Sequence, residues 1–214
     1  MLVKLWLQTE LVTVKEDATI AEAKELMAEH KIRRLPVLDS DQRLIGIISK
    51  VDINNALPSI IDAGFDDTAR ALASQAKVAA FMTNSPITVN PMDPLEKVAA
   101  KMRKNKVGGI PVTDQGKLVG IITESDIFKA FIEILGGNEE GARIEMSIGC
   151  ECDTIYKTLD LFRKHEMHLL ALTVCNDFSA DSRLLTIRFL GKDVDMLVDE
   201  LWSAGCKINN ITKD

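Results

Sequence analysis

The sequence GIITESD, from Gly120 to Asp126, closely restates the earlier GIISKVD, from Gly46 to Asp52. In each stretch an apolar Ile-Ile pair, typical of a buried strand, runs into a Ser or Thr that can cap a helix, with an Asp three residues later. The pattern predicts a strand-to-helix junction with a hydroxyl, a carboxylate and free helix N–H groups. Such a junction can hold an anion, while the Asp accepts hydrogen bonds from a diol such as a ribose. The alternative is a capping box, in which the Asp bonds only to its own helix cap.

The two stretches belong to a longer internal repeat. Pro111 follows Pro36 by 75 residues and Gly120 follows Gly46 by 74, so one residue is missing from the second hairpin. Aligned in this way, segments 12–53 and 87–127 share 13 identical residues. Each copy predicts a short strand, a helix, a strand through the Pro-Val pair, a strand ending at Gly-Ile-Ile, and a closing helix. The chain therefore contains a duplicated α/β unit.

The order, spacing and duplication of these elements resemble the CBS domain, and the tandem pair resembles a Bateman module. The resemblance covers about two thirds of the chain. It implies two copies packed about a pseudo-twofold axis, with a cleft between them for adenosine-containing ligands. The resulting division is CBS 1 at 1–57, a helical linker at 58–80, CBS 2 at 81–136, a linker at 137–141 and a further domain at 142–214.

The resemblance also implies which residues contact the ligand. In copy two these positions are Thr83, Ile87, Val107, Gly108, Gly109, Thr123 and Asp126. In copy one they are Val12, Ile32, Arg33, Arg34, Ser49 and Asp52. Gln8 stands where copy two has Thr83, so the adenine pocket of copy one departs from the family pattern.

The two copies differ where a ligand would touch them. Copy one has Arg33 and Arg34 where copy two has the Gly108-Gly109 pair, and Lys50 where copy two has Glu124. Glycines let backbone approach a ligand, arginines offer forked donors to phosphate oxygens, and a lysine attracts the charge that a carboxylate repels. Copy two is therefore predicted to hold base and ribose, and copy one negative charge. The alternative is that the three cationic side chains are solvated surface charges.

Other local signals fix the helices of the repeats. Thr19 and Glu22 have capping-box spacing and predict that a helix begins there. In copy two, Asp93 is the predicted cap and Pro94 the first helical residue. Between the copies, an alanine-rich segment predicts a helix from Thr68 to Ala80.

Residues 142–214 predict the element order βαββαβ, which is the ferredoxin-like arrangement. Within it, the run from Leu169 to Val174 is predicted to be a buried strand. After a CBS pair, this domain resembles a degenerate ACT domain, and the layout resembles CBS–ACT proteins of the acetoin-utilisation AcuB type. The loop GCECDT, from residue 149 to 154, lacks the Pro-Gly of ACT amino-acid sites. The resemblance therefore implies dimerisation or signal transmission for this domain.

A metal or redox site is the competing hypothesis for the C-terminal domain. Its candidate ligands are Cys150, Cys152, His165, His168, Cys175 and Cys206. Their spacing matches no zinc-site pattern, and Cys175 and Cys206 fall in or beside apolar strands, where a free thiol is an ordinary core residue. The domain could also be a pure protein-interaction module.

Composition limits the remaining functional classes. The net charge of −6 disfavours a nucleic-acid partner, and no apolar run is long enough to predict a membrane span or a signal peptide. Four cysteines without a framework spacing indicate reduced thiols in the cytoplasm. The sequence has no phosphate-binding loop and no nucleophile with a matching base.

The resulting expectation is a cytoplasmic, non-enzymatic regulatory protein of mixed α+β and α/β fold. It would have no catalytic residues, no bound metal and no required cofactor. Its expected regulatory ligand is AMP, ADP, ATP or another adenosine derivative. It is also expected to form a homodimer or a higher homo-oligomer and to regulate a protein target that the sequence does not identify.

Overall fold

The computed structural model describes residues 1–57, 67–149, 151–176 and 182–213, which divide into two units, Met1–Phe128 and Lys129–Asp214. The division falls inside the helix that closes copy two. The boundaries expected from the sequence, with a linker at 137–141, stay a prediction. Among the described residues, every helix is too short or too polar to cross a bilayer.

From the first helix onward the two copies show the same succession of elements, while the short strand that precedes this helix in copy one is represented in copy two by the isolated bridge of Val89 with Val112. Copy one consists of β1 (Val14–Lys15), α1 (Ile20–Glu29), β2 (Arg34–Leu38), β3 (Leu44–Ser49) and α2 (Lys50–Ala56). After α3 (Asp67–Ser74), copy two consists of β4 (Thr83–Asn84), α4 (Leu95–Asn105), β5 (Gly109–Asp114), β6 (Lys117–Thr123) and α5 (Glu124–Ile134). The hairpins β2–β3 and β5–β6 are antiparallel, and Pro36 and Pro111 pair with the equivalent residues Ile47 and Ile121. The duplication read from the sequence is thus present in the backbone pairing.

The repeated Ile-Ile pairs occupy equivalent places in the two copies. Ile48 and Ile122 are fully buried, while Ile47 and Ile121, which precede them, are half-buried. In copy one, Ile48 packs in a cluster that includes Ile20, Ala23 and Met27. These residues form the predicted apolar face of the first helix.

The two copies begin their first helices in different ways. In copy one the predicted capping box is confirmed, because Thr19 N donates to Glu22 Oε2 at 2.7 Å and Glu22 N donates to Thr19 Oγ1 at 3.2 Å. These hydrogen bonds lower the pKa of Glu22. In copy two the predicted Asp93 cap is wrong, because the N-cap is Pro94. Asp93 Oδ2 instead accepts a hydrogen bond from Asn90 N at 2.9 Å and so closes the preceding turn.

The segment between the copies is less helical than its composition predicts. Residues 58–66 lie outside the described residues, and α3 ends at Ser74 rather than continuing to Ala80. The backbone leaves the helix because it pairs with copy one: Ile20 N donates to Ala76 O at 2.9 Å, and Val78 N donates to Ala18 O at 2.8 Å. A short 3₁₀ helix, Val78–Ala80, follows.

The second unit contains the predicted order βαββαβ. Its elements are β7 (Ala142–Gly149), α6 (Cys152–Lys164), β8 (His168–Asn176), β9 (Ser182–Leu190), α7 (Val194–Ser203) and β10 (Lys207–Lys213). The strands form one antiparallel sheet in the order β10-β7-β9-β8. Alternate residues of β7 and β9 are buried, and Phe162 of α6 meets Phe189 of β9 edge to face at a centroid distance of 5.0 Å.

An ion pair joins the two helices of this unit. Lys164 Nζ of α6 lies 2.8 Å from both carboxylate oxygens of Glu200 on α7. This contact lowers the pKa of Glu200, and His165 Nε2, 3.4 Å from Glu200 Oε1, acts in the same direction. The helices are therefore linked by a charge contact at their exposed side as well as by the core.

The strand predicted from Leu169 to Val174 is confirmed, but the prediction that it is buried is wrong. This segment is β8, an edge strand, so it is covered on one side only. Leu169, Leu172 and Val174 remain 38%, 40% and 36% exposed. An apolar run can predict that a segment forms a strand. It does not predict how much of the strand is buried, because that depends on the position of the strand in the sheet.

Candidate functional site

The two repeated junctions adopt nearly identical geometries at the starts of α2 and α5. In copy one, Ser49 N and Ser49 Oγ donate to Asp52 Oδ2 at 2.8 and 2.6 Å. In copy two, Thr123 N and Thr123 Oγ1 donate to Asp126 Oδ2 at 2.8 and 2.7 Å. Each Asp thus caps its own helix through one oxygen and leaves Oδ1 pointing elsewhere. The capping interpretation is confirmed, and it leaves one oxygen of each carboxylate for a further role.

The environments of the two Oδ1 atoms differ. Asp126 Oδ1 accepts a hydrogen bond from Gln8 Nε2 at 2.9 Å, and Asp126 is only 6% exposed. Asp52 is half-buried, and within the described residues no donor reaches its Oδ1. The contact between Gln8 and Asp126 has no signal in the sequence, because the two residues are 118 positions apart.

The short N-terminal segments of the copies are exchanged. Thr83 in β4 pairs with Ile47 in β3, so it lies beside copy one. Gln8 pairs with Ile121 in β6, beside copy two, with N···O distances of 2.9 and 3.1 Å. Thr83, which the sequence groups with the copy-two ligand positions, therefore lies beside copy one, and its contact with a ligand stays a prediction. Each repeat places its first residues against the hairpin of the other.

This exchange defines two half-sites. The Thr83 half-site consists of Thr83, Ser49 and Asp52, and the Gln8 half-site consists of Gln8, Thr123 and Asp126. In each, the crossing residue pairs with β3 or β6 two positions before the capping hydroxyl. The two half-sites share the same backbone pairing, the same Asp and a capping hydroxyl, which is Ser49 in one and Thr123 in the other, and they differ most in the crossing residue, a threonine or a glutamine.

The glycines of the repeated stretches make room for the exchanged segments. A Cβ atom at Gly120 would collide with the Leu7 side chain and lie 2.9 Å from Gln8 O. A Cβ atom at Gly46 would collide with the Met82 sulfur and lie 3.0 Å from Met82 Cγ. Gly120 is therefore required by the close approach of a backbone atom, whereas the atoms near Gly46 all belong to the flexible side chain of Met82.

Arg34 of copy one lies against the glycine pair of copy two. A Cβ atom at Gly108 would collide with Arg34 Nη2 and lie 2.7 Å from Glu124 Oε2. At Gly109 it would lie 3.1 Å from Arg34 Cδ. The sequence predicts that a ligand lies near these two glycines. The guanidinium of Arg34 is therefore next to the predicted ligand position. The predicted division, with base and ribose in copy two and negative charge in copy one, stays a prediction.

The remaining predicted ligand positions differ in their exposure. Arg33 and Lys50 are exposed, and Lys50 N donates to Arg33 O at 2.9 Å. The equivalent bond in copy two joins Glu124 N to Gly108 O at 3.2 Å. Four predicted apolar positions are half-buried, namely Val12, Ile32, Ile87 and Val107. Exposure of Arg33 and Lys50 agrees with solvated charges, whereas Arg34 is half-buried between the copies.

A separate open groove of about 650 Å³ runs along α1. Its walls include Glu22, Glu25 and Glu29, together with Lys15 and Lys77. The carboxylates disfavour a phosphate there, and the groove contains none of the predicted ligand positions.

The cysteines of the second unit have dissimilar environments. Cys206 is buried in the core, with its sulfur 3.7 Å from Thr158 Oγ1, whereas Cys175 is exposed on β8, so the expectation of a core thiol is wrong for Cys175. Cys150 lies outside the described residues. Across the described ranges, no three His, Cys, Asp or Glu side chains are grouped so as to hold a metal ion.

Comparison with known proteins identifies the duplicated unit. The sequence model of the CBS domain matches residues 4–59 and 78–133, more than half of the chain, and the protein belongs to the CBS domain family. A CBS domain-containing protein of Dictyostelium discoideum is 34% identical over 137 residues, which are 63% of this chain and 94% of the relative. L-aspartate semialdehyde sulfurtransferase of Methanocaldococcus jannaschii is 34% identical over 132 residues, 61% of this chain but only 23% of the relative. CBS domains are generally regulatory modules, and in such enzymes they are side domains.

Solved structures show the same tandem pair. The CBS domain pair of protein MJ0100, in complex with 5′-methylthioadenosine and S-adenosyl-L-methionine, has a TM-score of 0.53 and 31% identity, covering 65% of this chain and 98% of that one. CBSX2 in complex with AMP has a TM-score of 0.52 and 29% identity over 62% and 97%. A Vibrio cholerae protein described as an acetoin utilization protein, AcuB, has a TM-score of 0.54 and 29% identity over 65% and 98%.

Proposed function

We propose that this protein is a non-enzymatic regulator whose CBS pair binds an adenosine-containing nucleotide. The observation that carries the proposal is the pair of hydroxyl–carboxylate junctions, each with one carboxylate oxygen that does not bond its cap. The half-buried Arg34 pairs with Ser49 of one junction and lies beside Gly108, whose carbonyl accepts a hydrogen bond from Glu124 N at the other. A carboxylate oxygen accepts the O–H groups of a ribose, and a guanidinium binds phosphate oxygens. AMP, ADP, ATP and S-adenosylmethionine are the ligands to test, since relatives of this fold hold AMP or S-adenosyl-L-methionine.

Ligand binding is expected to raise the melting temperature of the ligand-free protein. At a concentration of one hundred times its dissociation constant, a ligand stabilises the folded state by about 2.7 kcal/mol. For a chain of this size the midpoint should rise by about 5 to 11 °C. Differential scanning fluorimetry with the four ligands measures the shift, with inosine and inorganic phosphate as controls. No shift with any adenine ligand would contradict the proposal.

Arg34 is the residue proposed to recognise the phosphate. Replacing Arg34 by Ala should lower the affinity for AMP by about ten-fold to one hundred-fold and leave the affinity for adenosine nearly unchanged. The reason is that the arginine can make its charge-assisted bond only when the ligand has a phosphate. Titration calorimetry with both ligands checks this. Arg43→Ala is the matched control, since Arg43 carries the same charge and its ion pair with Asp41, 3.5 Å, lies in the β2–β3 turn. Equal losses for AMP and adenosine in Arg34→Ala would show that the arginine acts through Gly108 and Glu124 instead.

For the second unit we propose an ACT-like domain of ferredoxin-like topology that pairs two protomers and does not bind an amino acid. The proposal rests on the order β10-β7-β9-β8 and on the unequal edges of that sheet. The β10 edge, KINNITK, carries lysines and asparagines, which protect an edge from pairing. The β8 edge carries Leu169, Leu172 and Val174, each at least 36% exposed, and is the edge that a second copy would cover. The CBS pair followed by such a domain is the layout expected for AcuB-type proteins.

Leu172→Lys is expected to convert the dimer into a monomer at micromolar concentration, because a charge on β8 would be buried without a partner on association. Multi-angle light scattering of the full chain measures the mass. Asn210→Lys, on the exposed β10 edge, is the control and should remain dimeric. A monomeric wild type, or a dimeric Leu172→Lys, would contradict pairing through β8.

A further inference from the structure

The two half-sites differ in how many hydrogen bonds they can still accept. A carboxylate has about four acceptor positions, two on each oxygen. Oδ2 of each Asp already receives two bonds from its capping residue. Asp126 Oδ1 receives one more from Gln8 Nε2, whereas Asp52 Oδ1 receives none from the described residues. Asp52 therefore retains both positions on Oδ1, and Asp126 retains one.

A ribose cis-diol has two O–H donors, and because Oδ2 of each Asp is already occupied by the cap, both donors must reach Oδ1 to bond the same carboxylate. The Thr83 half-site matches this requirement as it stands. The Gln8 half-site does not, and a nucleoside can make both bonds there only after displacing the glutamine amide.

Gln8 is held in place by its backbone and by its acceptor. Its N–H and C=O both pair with Ile121, at 2.9 and 3.1 Å, so the residue cannot move away as a loop would. Its side-chain amide donates to an ionised carboxylate that is 6% exposed, and bonds to charged acceptors are about twice as strong as neutral ones. Displacing this amide from a desolvated acceptor is therefore unfavourable.

Thr83, the equivalent residue in the other half-site, makes no such contact. It pairs with Ile47 through the backbone, and in the part of the chain that the structure describes its hydroxyl makes no hydrogen bond with Asp52. Its shorter side chain leaves Asp52 Oδ1 open.

We propose that Gln8 is a specificity-determining residue that closes the Gln8 half-site, so that the cleft holds one nucleoside with high affinity, at Thr83, Ser49 and Asp52. This inference rests on the proposed function and adds to it the number of sites and their order of occupation. The ligand class is a nucleoside or nucleotide with an intact cis-diol.

The test exchanges the two residues. Titration calorimetry with AMP, and separately with S-adenosylmethionine, should give one site per chain for the full-length wild type. Gln8→Thr should add a second site of comparable affinity. Thr83→Gln should weaken the existing site by about ten-fold or more, because a charge-assisted bond must then be broken. The double swap should restore one site.

Two controls make the result specific. With 2′-deoxy-AMP in place of AMP, wild type and Gln8→Thr should differ less in their measured binding, because this ligand lacks one of the two diol donors. Both residues are exposed and paired through backbone, so melting temperatures of the ligand-free swaps should stay within a few degrees of wild type. If Gln8→Thr does not fold, Gln8→Ser carries the same expectation.

The outcomes separate the two levels of the proposal. Two equal sites in the wild type, or an unchanged stoichiometry in Gln8→Thr together with unchanged affinity in Thr83→Gln, would overturn the role of Gln8 while leaving nucleotide binding intact. No binding of either probe to the wild type or to Gln8→Thr would overturn the proposed function itself.

Discussion

Replacing Phe162 by alanine is expected to lower the free energy of unfolding of the unit Lys129–Asp214 by about 3 to 5 kcal/mol. Phe162 is 1% exposed and meets Phe189 edge to face at 5.0 Å. Truncation therefore removes a large apolar side chain, an aromatic pair, and the atoms that fill the space between α6 and the sheet.

The measurement can be confined to this unit. The chain has two tryptophans, and Trp6 lies in the first unit while Trp202 lies in the second. In a Trp6→Phe background, urea unfolding followed by fluorescence reports on the second unit. Tyr156→Ala is the control, because Tyr156 lies on the same helix at 70% exposure and should change stability by no more than about 0.5 kcal/mol. A loss below about 1 kcal/mol for Phe162→Ala would mean that the core is packed differently.

Gly120→Ala should destabilise the first unit by about 1 to 3 kcal/mol, the usual range for overpacking. The added methyl group would lie 2.9 Å from Gln8 O, a backbone atom fixed by its pairing with Ile121. The N-terminal segment cannot move away from the new methyl group without breaking its hydrogen bonds to Ile121. The contact between this segment and β6 should therefore weaken.

Gly46→Ala is the matched comparison for this change. Its new methyl group meets only Met82 side-chain atoms, and a methionine can change rotamer. We expect a smaller loss than for Gly120→Ala, below about 1 kcal/mol. Trp6 fluorescence in a Trp202→Phe background measures both. Equal losses at the two glycines would show that the backbone contact at Gln8 does not decide the outcome.

Local and repeated features of this fold could be predicted from the sequence. The capping box at Thr19, the hairpins around Pro36 and Pro111, and the βαββαβ order of the C-terminal unit all follow from short-range patterns. The internal repeat also placed both hydroxyl–carboxylate junctions correctly, because each is formed by residues three positions apart.

Features that depend on pairing between distant segments could not be predicted. The sequence aligns Gln8 with Thr83, but it does not show that each lies against the other copy. The contact of Arg34 with Gly109 has the same origin, since these equivalent positions meet across the pair. The exposure of β8 was missed because periodicity does not reveal which strand is at an edge.

Because the N-terminal segments are exchanged, the two copies of the CBS pair depend on each other and are not independent domains. Leu7 and Gln8 complete the hairpin of copy two, and Met82 and Thr83 complete that of copy one. If the chain were cleaved between the copies and the two fragments separated, each fragment would lose a pairing segment that the other one provides. The covalent connection between the copies keeps the two halves at high effective concentration. Each copy is thus incomplete without the short segment that the other copy supplies.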